Sequence, residues 1–170
     1  PIPITEMPTH LRNAFIAIED VRFYKHFGVD VRGIARATYR NIIHGGITEG
    51  ASTITQQLAR NLYLTHHKSF KRKIEEAVLA IQIERSYSKD EILNMYLNLI
   101  YLGEGAHGVE AAAYTYFHKK AKDLSLHESA MLAALTKSPS RLSPFKNQMK
   151  ALERRNIVLT DIKCNFGTSR

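Results

Sequence analysis

The chain has 170 residues, of which 44% are hydrophobic and 24% charged, a composition that fits one folded domain and excludes a disordered chain. Its 24 Lys and Arg residues against 16 Asp and Glu residues give a net charge of +8, which predicts a nucleic acid, an anionic membrane surface or a phosphorylated substrate as partner. The single Cys164 excludes an internal disulfide and a cysteine metal cluster, and no apolar run reaches the ~18 residues of a membrane span.

The first predicted helix covers about residues 9–24 and ends in the most chemically mixed stretch of the chain. Its predicted buried stripe is Leu11, Phe15, Ile18 and Val21. Glu19 and Asp20 place adjacent carboxylates near the end of this helix, and two aromatic residues, a His, a Gly and a third carboxylate follow within eleven residues of Glu19. Because a helix that only packs needs no such mixture, we interpret Glu19 as a catalytic base at the end of a buried helix.

A second helix is predicted over about residues 31–43, with one apolar and one basic face. The apolar face is Val31, Ile34, Ala35 and Ile42, and the basic face is Arg32, Arg36 and Arg40. Such a helix can lie on an anionic membrane surface, or it can pack on a core and expose its arginines to water. The spacing alone favours packing on a core.

The next stretch combines a capped helix start with a strongly basic segment. Thr53 and Gln56 fit a capping box, and helix N-termini attract anions. Residues 50–74 contain no Asp or Glu. The basic residues in this window are Arg60, Lys68, Lys71, Arg72 and Lys73, with His66 and His67 beside them. A solvated basic face and a phosphate site both fit this pattern.

Helical spacing continues to the end of the chain, and strand-like alternation is weak. Helices are predicted over about 69–86, 88–100, 109–117, 125–135 and 147–163, two of them opened by the capping boxes Ser88–Glu91 and Ser125–Glu128. The first of these is expected to bury Phe70, Ile74, Ala77, Val78 and Ile81. The glycines within 103–108 follow no strand and precede no Lys-Ser or Lys-Thr pair, which excludes a nucleotide P-loop. We therefore predict an all-α domain.

The carboxylates and the basic segment indicate chemistry with an anionic leaving group. Hydrolysis of a glycoside uses two carboxylates, one of them protonated to assist an alkoxide leaving group. A diphosphate leaves without protonation but needs cations for its growing charge, while the attacking hydroxyl still needs a base. One carboxylate with an Arg/Lys cluster therefore fits glycosyl transfer from a diphosphate donor better than hydrolysis, although residue types alone leave both open.

Five motifs follow one another along the chain. They are Glu19-Asp20-x-x-Phe23-x-x-His26-x-Gly28-x-Asp30, Ser52-Thr53-Ile54-Thr55-Gln56-Gln57-Leu58-x-x-Asn61, Arg72-Lys73-x-x-Glu76, residues 92–108 and residues 124–139. Together they resemble, in order, the signatures of the peptidoglycan glycosyltransferases, glycosyltransferase family 51, which include the transglycosylase domains of penicillin-binding proteins and monofunctional transglycosylases. The resemblance covers about residues 7–160.

The resemblance implies a lysozyme-like helical head with a smaller, membrane-facing jaw at about residues 29–50. It also implies polymerisation of lipid II into glycan strands, with inversion at the anomeric carbon and release of undecaprenyl diphosphate, at the outer face of the bacterial cytoplasmic membrane. The family's transmembrane anchor and any transpeptidase domain lie outside these residues. Since the chain starts at Pro1 without a Met, we expect it to be a piece of a longer, anchored protein.

The motifs also imply roles for individual residues. Glu19 would deprotonate the acceptor 4-hydroxyl, and Glu76 would be the second catalytic carboxylate, near the donor diphosphate. The implied substrate-binding residues are Asp20, Phe23, His26, Ser52, Thr53, Gln56, Gln57, Arg60, Asn61, Lys68, Arg72 and Lys73. Arg60 stands where the family often has Lys, and Lys68 where it often has Arg, so charge is kept while hydrogen-bond geometry changes.

The implied partners are lipid II, the growing glycan strand and a membrane surface, which makes membrane contact the favoured interpretation of residues 31–43. No cofactor is expected to be required, although Mg²⁺ or Mn²⁺ could help to neutralise a diphosphate. Two alternatives remain: a muramidase that uses Glu19 as general acid on preformed glycan, and a nucleic-acid-binding helical domain. Few aromatic residues interleave with the basic segment, which argues against binding of nucleic acid.

Overall fold

The computed structural model describes residues 1–43, 45, 50–63 and 70–167. Within these ranges the α-helices are α1 (Thr9–Glu19), α2 (Val31–Ile43), α3 (Ile54–Tyr63), α4 (Phe70–Ser86), α5 (Lys89–Leu99), α6 (Val109–Phe117), α7 (Leu126–Leu135) and α8 (Gln148–Phe166). Short 3₁₀ turns lie at Ile4–Glu6, Phe23–Lys25 and Ala121–Asp123. The described residues contain no β-strand beyond an isolated bridge between Tyr101 and His107, so the all-α prediction is confirmed.

Two groups of helices share one core. Helix α1 packs against α7 and α8, and helix α3 packs against α4 and α5. The largest fully buried side chains are Leu11, Phe15, Phe23, Ile54, Leu58, Ile92, Leu93, Tyr96, Leu97, Leu102, Leu132 and Leu135. Each side chain of this size contributes about 1.5–3 kcal/mol by leaving water. Helix α7 is buried from Ser129 to Leu135 without a break, which makes it the central helix of the domain.

All three capping boxes expected from the sequence are present. Ser88 and Ser125 each accept the backbone N–H of a Glu three residues later, and that Glu side chain accepts the serine N–H in return. The N–H of Gln56 donates to Thr53 Oγ at 3.1 Å, and the N–H of Thr53 donates to Gln56 Oε1 at 3.0 Å. These bonds satisfy donors that a helix start would otherwise leave open, so α3, α5 and α7 begin close to where local sequence placed them.

Helix α1 ends at Glu19, whereas the sequence predicted a helix to about residue 24. Asp20 leaves helical geometry with φ −160°, because its carboxylate accepts bonds from His26 Nε2 and from the N–H of Ile54. Val21, expected to extend the buried stripe, lies beyond the helix and is only half-buried. Tertiary hydrogen bonds to one side chain have therefore overridden the helical pattern.

The predicted buried side of α4 is wrong. Phe70, Ile74, Val78 and Ile81 are 82%, 52%, 50% and 38% exposed, and Ala77 is only half-buried. The face that packs inward is Glu76, Ala80 and Ile83. Periodicity identified a real apolar stripe, but the helix places it in solvent because its opposite face holds the buried charge of Glu76 and a close backbone contact at Ala80.

Helices α2 and α8 also differ in detail from expectation. Helix α2 has the predicted bounds, but it buries Gly33 and Ala37 and exposes its apolar residues Val31, Ile34 and Ile42. Helix α8 continues to Phe166, three residues beyond the predicted end. Among the described helices, none combines the length and the hydrophobicity needed to pass through a bilayer.

Gly28 should tolerate a side chain far less well than Gly105. Both have positive φ, +86° and +74°, but a Cβ on Gly28 would lie 2.7 Å from the carbonyl carbon of Ala80, whereas nothing lies within 4 Å of one on Gly105. Gly105→Ala should cost about 1–2 kcal/mol of unfolding free energy from backbone strain alone. Gly28→Ala should cost roughly 1–3 kcal/mol more, because the backbone of α4 must move. Urea unfolding of both variants measures the difference, and equal losses would contradict the close packing of residue 28.

Candidate active site

A cleft of about 660 Å³ runs between the end of α1, the start of α3, the end of α7 and helices α2 and α8. Its lining includes six of the residues predicted from the sequence: Glu19, Asp20, Ser52, Thr53, Gln57 and Arg60. They come from two separate motifs, which meet because the end of α1 lies beside the start of α3. The cleft is therefore the candidate active site.

Glu19 is the last residue of α1, and its carboxylate is held from two sides. Gln57 Nε2 donates to Glu19 Oε2 at 2.7 Å, and the hydroxyl of Thr136 donates to Glu19 Oε1. Tyr96 donates its hydroxyl to Gln57 Oε1 at 3.2 Å, which turns the amide so that its N–H groups face Glu19. The carboxylate is thus oriented into the cleft with lone pairs left for a substrate.

Tyr96 remains a neutral donor in this arrangement. Complete burial, and next the negative charge of Glu19, raise the pKa of Tyr96 well above its ordinary value of 10. A neutral phenol keeps its proton, so its O–H remains available to donate to Gln57.

Asp20 organises the chain behind Glu19. Its Oδ2 accepts from His26 Nε2 at 2.8 Å and from the N–H of Ile54 at 3.1 Å, and both side chains of the Asp20–His26 pair are 4% exposed. Phe23 is fully buried beneath the ammonium group of Lys89, 4.5 Å from its ring centroid. Phe23 and His26, predicted to bind substrate, are thus placed where they shape the end of α1 and do not line the cleft.

Glu76 is fully buried and surrounded by three cations. Lys73 Nζ lies 2.9 Å from Glu76 Oε2, Arg72 Nε lies 3.3 Å from Oε1, and an Arg60 terminal nitrogen lies 3.9 Å from Oε1. Lys73 also donates to Ser52 Oγ at 2.6 Å. Since Ser52 and Arg60 line the cleft and Glu76 does not, Glu76 lies behind the cations and holds them at one side of the cleft.

The remaining residues that were predicted to bind substrate are Gln56, Asn61 and Lys68. Gln56 is buried in the capping box of α3, and its side chain does not line the cleft. Asn61 is exposed near the end of α3. Lys68 lies outside the described residues, as do His66 and His67. Within the described ranges, no three or more His, Cys, Asp and Glu side chains are grouped so as to hold a metal ion.

Comparison with known proteins decides the family. The transglycosylase family model matches residues 1–163. The chain belongs to the transglycosylase family. The resemblance seen in the five motifs to peptidoglycan glycosyltransferase domains is thereby confirmed.

The relatives of this transglycosylase domain are penicillin-binding proteins. The chain is 52% identical over 159 residues to penicillin-binding protein 1F of Bacillus subtilis (strain 168), and 53% identical over 158 residues to penicillin-binding protein 1A of Aquifex aeolicus (strain VF5). These alignments cover 94% and 93% of the chain and 22% of each relative, so the chain spans about a fifth of their length.

A solved structure shows the same fold. The crystal structure of penicillin-binding protein 1A from Haemophilus influenzae matches with a TM-score of 0.55 and 25% identity. The match covers 100% of this chain and 16% of that one. The helical architecture described above therefore matches one part of a longer penicillin-binding protein.

The transglycosylase cleft also contains residues that sequence reasoning missed. They are Thr136 and Lys137 from the turn after α7, Arg154, Asp161 and Asn165 from α8, and Arg36 and Arg40 from α2. The basic face predicted for α2 was a signal for the two arginines. No local signal marks Thr136, because its contact with Glu19 joins residues 117 positions apart.

Asp30 ties the start of α2 to the segment after Glu19. Burial opposes its ionisation, but hydrogen bonds from the N–H of Gly33 and from Arg22, together with the positive charges of Arg22 and His26, outweigh burial and lower the pKa of Asp30 below 3.8. Arg22 Nε lies 3.1 Å from Asp30 Oδ2. Asp30 thus caps α2 and forms an ion pair at one side of the cleft.

Asp30→Asn should lower the unfolding free energy by about 1 kcal/mol at pH 7, because Asn still caps a helix but forms no ion pair with Arg22. A carboxylate with a lowered folded-state pKa stabilises the fold above its unfolded value and loses that contribution as the pH falls through the folded pKa. The difference between wild type and variant should therefore shrink below about pH 4. Urea unfolding between pH 7 and pH 3 measures it, with Asp123→Asn at an exposed site as control; a constant difference would exclude the ion pair as the cause.

Proposed function

We propose that this transglycosylase domain polymerises lipid II into glycan strands. The observation that carries the proposal is the Glu19 carboxylate, held by Gln57 and Thr136 in a cleft whose neighbouring side is built from cations. A base and a cationic site in one cleft are the two groups that glycosyl transfer from a diphosphate donor needs.

In the acceptor half of the reaction, Glu19 takes the proton of the 4-hydroxyl of an N-acetylglucosamine unit. The oxygen then forms its bond to the anomeric carbon of the donor as the bond from that carbon to the diphosphate breaks. Attack from the face opposite the leaving group inverts the anomeric carbon. Both described partners of Glu19 donate hydrogen bonds to its carboxylate, which hold it in place while its remaining lone pairs can accept the proton.

In the donor half, undecaprenyl diphosphate leaves with the electron pair of the broken bond. Its growing negative charge requires cations, which Arg60 and Lys73 supply beside the cleft. Buried Glu76 fixes these side chains before the substrate arrives, so little reorganisation is needed during the reaction. In this proposal Glu76 acts through the cations, and Mg²⁺ or Mn²⁺ would only add to the charge that they provide.

We also propose that the domain works on a membrane surface through α2 and α4, since its donor carries a lipid. Phe70, Ile74 and Val78 form an exposed stripe at helical spacing on α4. Phe27, also 82% exposed, precedes Gly28, which packs on the backbone of Ala80 and Ile81 in the same helix. Apolar side chains next to the exposed ammonium group of Lys71 suit an anionic bilayer surface. The proposal extends the jaw expected at residues 29–50 and keeps the expectation that the reaction takes place at the outer face of the cytoplasmic membrane.

Glu19→Gln should reduce polymerisation of labelled lipid II by at least about 100-fold, because an amide cannot accept the proton. Products are resolved on a gel after incubation in detergent, with and without EDTA. Glu153→Gln, an exposed carboxylate on α8, is the matched control and should behave like wild type. Chain products from Glu19→Gln at the wild-type rate would contradict the assignment. Shortening of preformed glycan by the wild type would instead favour the muramidase alternative.

The double variant Phe70→Ser/Ile74→Ser should bind anionic vesicles roughly tenfold more weakly than wild type, since two apolar side chains no longer leave water. Met149→Ser/Ile157→Ser removes two exposed apolar side chains from α8 and should bind like wild type. Co-sedimentation with vesicles of phosphatidylglycerol and phosphatidylcholine measures both. Equal losses in the two double variants would show that α4 has no special role.

A further inference from the structure

Thr136, the first residue after α7, has two acceptors within reach of one hydroxyl. Its Oγ lies within hydrogen-bond distance of Glu19 Oε1 and 2.8 Å from the carbonyl oxygen of Ala133. A hydroxyl has one proton to donate and can accept at the same time. At any moment Thr136 therefore donates to only one of these two oxygens.

The other described partner of Glu19 lacks this freedom. Gln57 presents its amide nitrogen to the carboxylate, and Tyr96 fixes that orientation by donating to the amide oxygen. An amide nitrogen only donates, so Gln57 suits the charged carboxylate and cannot accept a proton from the neutral acid. A base that gains a proton in every cycle is held in both of its states by a partner that can both donate and accept a hydrogen bond.

We propose that Thr136 is a positioning residue that holds the carboxyl group of Glu19 in both of its protonation states. When Glu19 is charged, the hydroxyl of Thr136 donates to Oε1. Once Glu19 carries the proton taken from the acceptor sugar, its O–H donates to Thr136 Oγ, and the hydroxyl of Thr136 turns to Ala133. This inference rests on the proposed role of Glu19 as the base.

The backbone around Thr136 allows its hydroxyl to rotate between Glu19 and Ala133. The N–H of Thr136 donates to the carbonyl oxygen of Ala133 at 3.3 Å, so that oxygen keeps a partner when the hydroxyl points to Glu19. Helix α7 is buried from Ser129 to Leu135, which fixes the position of the residue that follows. Only the hydroxyl proton has to move when Glu19 changes its charge.

Other charged or titratable groups line the cleft with Glu19 or lie close to it. Arg60 comes from α3, Tyr96 from α5 and Lys137 from the turn after α7. Arg154 and Asp161 come from α8, Arg36 and Arg40 from α2, and Asp20 and Asp30 from the segment after α1. All of them stay unchanged when position 136 is substituted, so a difference between variants at that position reports on the hydroxyl.

Thr136→Val and Thr136→Ser test the proposal in the full chain. Valine keeps the shape and loses the hydroxyl, whereas serine keeps it. Thr160→Val is the matched control, because Thr160 makes the same kind of bond to its own helix, 3.0 Å from the carbonyl oxygen of Asn156, at an exposed site. Turnover of lipid II is measured from pH 5 to pH 9. The carboxylate band of Glu19 is followed in infrared titrations as the band missing in Glu19→Gln.

We expect Thr136→Val to lower kcat roughly tenfold and to move the acidic limb of its pH profile up by about one pH unit, because the charged base has lost a donor. The infrared band should shift by a similar amount. Thr136→Ser and Thr160→Val should resemble wild type in both measurements. Thr136→Ala replaces the valine variant if thermal unfolding shows that the latter does not fold.

An unchanged infrared titration in Thr136→Val would overturn the proposal, as would equal kcat losses in the serine and valine variants. Failure of the proposed function gives a different result. If wild type makes no glycan from lipid II, Glu19 is not the base of that reaction, and the infrared titration still decides whether Thr136 holds its carboxyl group.

Discussion

The site depends on the hydrogen bonds that the buried carboxylate of Asp20 accepts. This carboxylate binds His26 and the N–H of Ile54, and so connects the end of α1, the following turn and the start of α3. Burying this carboxylate without these partners would cost roughly several kcal/mol of folding free energy. The three segments therefore pack together around it. Their convergence brings Glu19 beside Gln57, two residues from motifs that are far apart in the chain.

A second buried carboxylate organises another side of the cleft by the same physics. Glu76 is compensated by Arg60, Arg72 and Lys73, which come from two different helices. Asp20 therefore arranges the base, and Glu76 arranges the cations. The two halves of the proposed reaction meet because α3 contributes to both, through Gln57 and Arg60.

Sequence reasoning predicted what depends on neighbours along the chain and failed where distant contacts decide. The capping boxes at Thr53, Ser88 and Ser125 were correct because cap and partner lie three residues apart. The predicted buried side of α4 was wrong, since an apolar stripe gives the same sequence pattern whether it faces the core or is exposed. The contact of Thr136 with Glu19 could not be predicted, because only the packing of α1 against α7 creates it.

Helix α4 is an exception to the usual rule that apolar residues are the ones whose substitution costs most stability. It places a carboxylate in the interior and isoleucine and valine in contact with water. Exchanging Ile74 for a polar residue should change the folding free energy by no more than about 0.5 kcal/mol. Removing the charge of Glu76 leaves its cations without their buried counter-ion, which should cost about 3–5 kcal/mol of folding free energy. As far as fold stability is concerned, the exposed apolar side of α4 therefore tolerates substitution far better than the side that holds Glu76 and its cations.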